Sequence, residues 1–377
     1  MPLTGTKVIE VCSNLAGPVA GTIFGDLGAD VIKVEKPNGG DDARAWTPPM
    51  WNGQGASFQA INRNKRSVTL DFRNAGDVDR LKTLAMDADV FLHNMRPGAA
   101  EALGLSGPDM LALNPRLIYC AIGAYGAKGP WREWSAYDAL AQALSGQMSG
   151  NGLPNNDPLL VPGGVVDKGA GMWAAIAALG ALLRRARTGQ GAIVGTSLLE
   201  ASLFWRDLGF AHYQASGVIP RAVGNAAPNI VPYGMFATGD SPLMLACAGD
   251  GLFAVLAGAL GHPEWLQDSR FATNTARVAH RDTVVSAIEA VLKTKPRDHW
   301  VELLGKSRVP AAPILDVAEA HAHPQVQALG ILQSPPGVDM PVVSAPWTID
   351  GVRPPVRRAA PRLGEDNSLL LDGKPSP

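Results

Sequence analysis

Two aspartates stand immediately ahead of helical runs, and each is a candidate for covalent chemistry. Asp138 follows Tyr137 and precedes a run from Ala139 to Ser149, while Asp167 precedes the apolar helix expected around Met172 to Leu183. A helix N-terminus offers unpaired N–H groups and the positive end of the dipole, which favour an ionised carboxylate. Such a carboxylate can attack an activated acyl group. The same position also suits a simple cap; on position alone Asp138 reads as a cap before it reads as a nucleophile, and Asp167 still more so. A second set of residues suits anion binding. Asn62-Arg-Asn-Lys-Arg66 packs three cations into five residues just before an expected strand, and Lys36 and Arg96 follow two others. Phosphate recognition needs such convergence at strand ends; scattered, the same residues are ordinary solvated charges. The turn Cys12-Ser-Asn-Leu-Ala-Gly-Pro18 offers backbone N–H groups that suit a phosphate or an amide-bearing cofactor. It is not GxGxxG, and no GxxxxGK[ST] occurs in the chain, which disfavours an NAD enzyme and a P-loop NTPase.

The elements that must hold these residues alternate. Lys7–Val11 reads as a strand, Pro18–Leu27 as a helix with proline in its first turn, and Asp30–Glu35 as a second strand. Strands at Ser67–Phe72, Asp89–His93 and Leu117–Ile122, separated by helices near Asp77–Met86 and Pro108–Leu113, repeat the βα theme. Alternation of this kind predicts a parallel sheet covered by helices, with ligands beyond the carboxyl ends of its strands. After Ala136 the pattern turns helical, and a turn at Thr188-Gly-Gln-Gly191 precedes a further helix over Leu198–Leu208. The segment Ser216–Pro232, rich in Gly, Pro, Ala and Asn, reads as a connection into a second unit. From Ser334 onward prolines recur, and the tail is expected to pack back onto something larger.

Composition narrows the class of function. In 377 residues, 33 basic and 34 acidic side chains leave a net charge of −1, so no global field recruits nucleic acid or an anionic membrane. The apolar stretch Gly169–Leu183 is about 15 residues, short of the roughly 20 that span a bilayer, and is expected to be a buried helix. Met1-Pro-Leu-Thr-Gly-Thr-Lys7 lacks the basic region and apolar run of a secretory signal, which points to the cytoplasm. Cys12, Cys120 and Cys247 lie far apart, and His321-Ala-His323 has no third ligand at useful spacing, so no disulfide framework and no metal site are expected.

The pattern Tyr125-Gly126-Ala-Lys-Gly129-Pro130, followed by Tyr137-Asp138-x-x-x-Gln142-Ala-x-Ser145-Gly146, resembles the type III coenzyme A transferases, the carnitine and formyl/oxalate group. Ala16-Gly17-Pro18, Gly28–Glu35, Asn62-x-Asn64-Lys65-Arg66-Ser67, Asn94-x-Arg96-Pro97-Gly98, Gly189-Gln-Gly191, Ser197–Glu200, Gly224-Asn225, Pro232-Tyr233-Gly234 and Arg362-Leu-Gly364-Glu365 agree in the same order, so the resemblance covers nearly the whole chain. It implies CoA transfer from an acyl-CoA to a small carboxylic acid through aspartyl anhydride and aspartyl-CoA thioester intermediates, with Asp138 as the attacking carboxylate. CoA contacts are implied at Asn14, Leu15 and Ala16, at Lys36 and Lys65, and at Asn94, Met95 and Arg96. CoA is then a substrate, and no cofactor is tightly bound. Lys36 stands where some members have Arg, Ala102 where others have a cation, and Gly123 where one subgroup has Lys; the glycine-only loop of the oxalate-processing members is missing around Gly224–Pro228.

The implied architecture is α/β: a Rossmann-like large domain with a parallel sheet from residues 1–210 and 330–377, and a smaller α+β domain from 211–329, assembled as an interlocked homodimer. Two other functions compete. An α-methylacyl-CoA racemase of the same fold needs His before the aligned Asp and a second Asp about 30 residues on; Asp167 is at the second place, but Tyr137 replaces the His. A non-catalytic acyl-CoA binder on the same scaffold is the reading from a different class.

Overall fold

The structure is a computed structural model, and residues 1–51, 53–155 and 157–371 are described. The end of the tail, residues 372–377, lies outside the described residues, as does Asn156 in the loop Gly150–Asp157.

Six parallel strands form one sheet. In chain order they are β1 (Lys7–Val11), β2 (Asp30–Glu35), β3 (Lys65–Thr69), β4 (Val90–His93), β5 (Ile118–Gly123) and β6 (Ala192–Ser197). Their spatial order is β3-β2-β1-β4-β5-β6, the doubly wound arrangement of a Rossmann-like fold. Register explains how short apolar strands build both layers. Val8 pairs with Val31 and Val90, and all three face one core with Phe24 of helix α1 (Ala16–Asp26). Ile9 pairs with Ile32 and Phe91, and these face the opposite core with Leu81 of α2 (Ala75–Met86) and Met110 of α3 (Gly107–Leu113). Because side chains alternate along a strand, one continuous run such as Val-Ile-Lys-Val serves two helix layers at once.

Three elements differ from the sequence reading. Ala192–Ser197, which lies between the turn at Thr188–Gly191 and the helix expected from Leu198, is the sixth strand; its residues alternate between half-buried and exposed until Ser197 because β6 is a sheet edge. The following helix breaks at Trp205-Arg206 into α6 (Leu198–Phe204) and α7 (Asp207–Ser216), after α4 (Asp138–Leu144) and α5 (Val165–Thr188). At 24 residues α5 is also longer than its apolar stretch, since Asp167 and Lys168 at one end and Arg184 to Thr188 at the other continue the helix with polar side chains. By length and composition α5 could cross a membrane. Here its Val166, Ala170, Ala174 and Ala178 face belongs to the core that includes Val8 and Phe24.

The chain clusters into two compact units. The large one comprises Met1–Met148, Leu160–Ile219 and the tail from Gln327 onward; the other comprises Ser149–Leu159 and Pro220–Val326. The small unit carries an antiparallel sheet of β7 (Tyr233–Phe236), β8 (Leu243–Ala246) and β9 (Ala311–Pro313), with β8 central. Phe236, Leu243 and Leu245 pack on Phe253 of α8 (Asp250–Ala259), Ile288 of α9 (Arg281–Leu292) and Trp300 of α10 (Arg297–Lys306). The tail closes the exposed edge of the large sheet. Asp366 accepts the N–H of Ser67 at 3.0 Å and Asn367 that of Thr69 at 2.9 Å, occupying β3 donors that would otherwise offer pairing to another chain.

Small residues set how closely α1 and α5 approach. A Cβ on Gly171 would lie 2.4 Å from the carbonyl oxygen of Ala16, a backbone atom that cannot turn aside. Gly171→Ala is therefore expected to destabilise the fold by about 1–3 kcal/mol despite alanine's better helix propensity. Equal urea midpoints for the variant and the parent would show that the two helices part without cost.

Candidate active site

In an open sheet of this order the crevice for a ligand opens where β1 and β4 run side by side and their crossovers diverge. The turns after these strands meet there. Ser13 N–H donates to Asn94 Oδ1 at 3.0 Å, and Asn94 Nδ2 donates back to the Ser13 carbonyl at 2.8 Å. Asn14 has φ +67°, a left-handed conformation that asparagine tolerates better than most residues, and its N–H donates to Asp41 at 2.9 Å. Met95 N–H donates to Nδ1 of His93, a buried ring whose pKa burial holds down to about 4 and which is therefore neutral. Arg96 is exposed beside them. Asn14, Leu15, Ala16, Asn94, Met95 and Arg96 are thus brought to one place, although the Asn94 amide is engaged with Ser13.

The expected cations divide. Lys36 follows β2, is exposed, and pairs with Asp42 at 2.6 Å. Lys65 is instead the first residue of β3, at the opposite end of the strand from the crevice, and its side chain is fully buried. Its ammonium donates to the Pro18 carbonyl and to Asn62 at 2.8 Å each and pairs with Glu10 at 2.8 Å. Burial lowers its pKa to about 8 against the pull of Glu10. Lys65 therefore serves the interior in this structure and does not present a charge to a phosphate. The reason is strand phase: β3 begins two residues earlier than the sequence suggested, which places Lys65 inside the alternation rather than ahead of it.

The turn after β1 also reaches the two aspartates. Helix α5 begins after Gly163 and Gly164, both at positive φ, and a Cβ on Gly164 would fall 2.2 Å from Leu15 Cδ2. The left-handed backbone at position 164 favours glycine, and with glycine there α5 has no side chain of its own to cap its first turn. Asp138 supplies the cap from α4. Its Oδ2 accepts the N–H groups of Val166 at 2.8 Å and Asp167 at 3.0 Å, and its Oδ1 accepts from Nε2 of Gln142. Gln142 is fixed in turn by Val161, with its amide donating to the carbonyl and accepting the N–H at 3.0 Å each. Asp138 is thus a cap, but of a helix that begins 27 residues later. Both of its carboxylate oxygens therefore already accept donors in this structure.

Asp167 is the open member of the pair. It sits in the first turn of α5 and is half-buried, and its carboxyl accepts no hydrogen bond among the described residues. Burial, and then the charge of Asp138, push its pKa up to about 7. Two carboxylates with sharply different surroundings are a common arrangement where each has a separate task. Sequence position did not separate them, since both precede helices. Tyr137, which would stand in place of a racemase histidine, is 67% exposed.

The turns after β1 and β4 thus meet at the switch point of a doubly wound α/β sheet, and Leu15 of the first turn reaches the start of the helix that carries Asp167. Comparison with known proteins assigns the family. Residues 3–367 match the model of CoA-transferase family III, and the chain belongs to that family. It is 36% identical to the acetyl-CoA:oxalate CoA-transferase of Acetobacter aceti and 37% identical to the succinate–glutarate CoA-transferase of Agrobacterium fabrum, in each case over 98% of this chain and 95% of the relative. Among solved structures, a CaiB/BaiF family protein from Brucella suis superposes with a TM-score of 0.89 at 38% identity, covering 99% of both chains. A Mycobacterium tuberculosis protein gives 0.87 at 29% identity, covering 98% of this chain and 99% of its own.

The raised pKa of Asp167 has a signed consequence for stability. A carboxyl that holds its proton more tightly in the folded state stabilises the fold below its unfolded pKa of about 4, and that contribution is lost as pH rises through about 7. Asp167→Asn carries no such ionisation. Its melting temperature relative to the parent is expected to be higher at about pH 8 than at about pH 5; the same difference at both values would show that Asp167 ionises normally.

Proposed function

We propose that this enzyme moves CoA from an acyl-CoA donor to a small dicarboxylic acid, with Asp167 as the covalent nucleophile and Asp138 as the group that fixes it. CoA transfer itself is the activity carried by the names of its relatives, and oxalate and glutarate, both dicarboxylates, stand in the two described above. The observation that carries the residue assignment is the hydrogen bonding of the pair: Asp138 is saturated by Val166, Asp167 and Gln142, and Asp167 is open.

The chemistry balances without a proton. A carboxylate oxygen of Asp167 attacks the donor thioester carbonyl, the C–S bond breaks, and CoA leaves as thiolate from a mixed anhydride. The thiolate attacks the aspartyl carbonyl and expels the donor acid as carboxylate, leaving an aspartyl-CoA thioester. An acceptor carboxylate attacks that carbonyl and expels the thiolate, which then attacks the acceptor half of the new anhydride to give the new acyl-CoA and free Asp167. Each step trades one anion for another, so no general base is required, and the basicity conferred on Asp167 by burial favours attack. Asp138 holds the first turn of α5, and with it the nucleophile, through two backbone N–H groups. The racemase alternative needs two bases at one carbon; Asp138 is occupied and Tyr137 turns to solvent, so it gains no support.

CoA acts here as substrate, with Leu15, Ala16, Met95 and Arg96 lining its approach and Lys36 near its phosphates, and no cofactor is held between turnovers. The exposed apolar side chains Met172, Ile176 and Leu183 of α5 and Leu208, Phe210 and Tyr213 of α7 support a homodimer that covers them. Three free, buried cysteines fit the reducing cytoplasm.

Asp167→Ala is expected to lower kcat by more than about a thousandfold, roughly 4 kcal/mol, with CoA affinity within a few-fold. Hydroxylamine added during turnover should leave a hydroxamate on the peptide containing Asp167. A hydroxamate on Asp138 would return the nucleophile to that residue, and no CoA movement across a panel of mono- and dicarboxylic acids would favour the non-catalytic binder.

A further inference from the structure

Beneath the turn that follows β1 lies a chain of buried charges. Glu10 of β1 stands between Lys33 of β2 at 3.0 Å and Lys65 of β3 at 2.8 Å, and Lys33 reaches on to Asp41 at 2.8 Å, with all four side chains fully buried. Burying this many charges gives little stability compared with apolar side chains of the same size, so what they hold in place is the more informative question. They hold backbone. Lys33 donates to the Cys12 carbonyl at 2.8 Å, and Asp41 Oδ1 accepts the Asn14 N–H at 2.9 Å. Between those two residues, Asn94 grips both polar groups of Ser13. Three consecutive residues of the turn are thus each bonded by a side chain from another part of the sheet. The last of them, Asn14, is in the left-handed conformation that sends the chain on to Leu15, which fills the space beside Gly164 at the start of α5.

The position of Asp41 is itself fixed from below. Glu35 accepts the Asp41 N–H at 2.9 Å and binds Arg44 at 2.7 and 2.6 Å, closing the loop that carries Asp41 back under the turn. Lys33 stays charged because Glu10, Asp41 and Glu35 together outweigh the cost of burial, and Asp41 stays ionised chiefly because Lys33 outweighs its own.

We propose that Asp41, anchored by Lys33, is a positioning residue that presets the Asn14–Leu15 turn for the CoA substrate, so that the preorganised turn and not a flexible loop meets the ligand. This rests on the transferase reading. An isosteric change separates the parts: Asp41→Asn keeps an acceptor for the Asn14 N–H but exchanges the ion pair for an amide, whereas Asp41→Ala removes both.

The test is direct titration of the purified full-length protein with free CoA by calorimetry, alongside melting temperature and steady-state kinetics. Expected is a rise of about tenfold or more in both the CoA dissociation constant and the KM for acyl-CoA in Asp41→Ala, a smaller rise in Asp41→Asn, and kcat within about threefold in each. A residue that merely supports the fold would instead lower the active fraction, and so the apparent kcat, with KM and CoA affinity unchanged. That outcome overturns the proposal, as does failure of both variants to fold, which would make Asp41 part of the folding core. If the parent protein itself does not bind CoA, it is the transferase reading that fails.

Discussion

Helix α5 begins on a left-handed glycine, and much of the site follows from that. Gly164 has φ +64° and lies against Leu15, and the first turn of a 24-residue helix has no cap of its own. Its free N–H groups and positive dipole end demand an acceptor from elsewhere. Asp138 meets that demand, and in doing so ties α4 to α5 and fixes the two peptide groups that lead into the second carboxylate. Leu15, packed beside that glycine, also brings the β1 turn to the start of the helix that carries Asp167. A single close approach therefore sets helix start, cap and nucleophile together.

Much of the large sheet could be read from the chain, because its strands are short apolar runs bounded by turn residues and the helices between them are periodic. Lys7–Val11 and Asp30–Glu35 are strands with the limits the sequence suggests, Val90–His93 starts one residue late, and Ile118–Gly123 is shifted by one residue at both ends. Ala192–Ser197 escaped because an edge strand is half-exposed and its Gly195 interrupts the apolar pattern. The spatial order of the strands has no local signature. It follows from which helix faces can be buried on which side, and only that order identifies the β1–β4 crevice as the place where Ser13 and Asn94 meet.

Charged residues inside apolar strands were the signal left unused. Glu10, Lys33 and Glu35 sit in runs otherwise made of valine and isoleucine, in strands covered on both sides, where a charge persists only if paired. Lys65 was grouped with its cationic neighbours Arg63 and Arg66 because they adjoin it in sequence. In space the three separate: Arg63 pairs with Asp26, Arg66 with Asp30, and Lys65 with Glu10. Proximity along a strand says little about shared direction, since each step reverses the face.

The two aspartates show the same limit at the level of chemistry. Both precede helices and both suit a cap, so local rules assign them the same part. What distinguishes them is the supply of donors. Asp138 receives three, one on Oδ1 and two on Oδ2, which makes it a support. Asp167 donates its own N–H to that support yet receives nothing on its carboxyl among the described residues, and burial, with the charge of Asp138 beside it, pushes its pKa up to about 7. A carboxylate stripped of donors in a half-buried place is costly to the fold and reactive toward an acyl group for the same reason: its charge is poorly compensated until it forms a bond. The strain on stability and the capacity for covalent chemistry are one property of Asp167, set by a partner 29 residues away that no pattern around Asp167 announces.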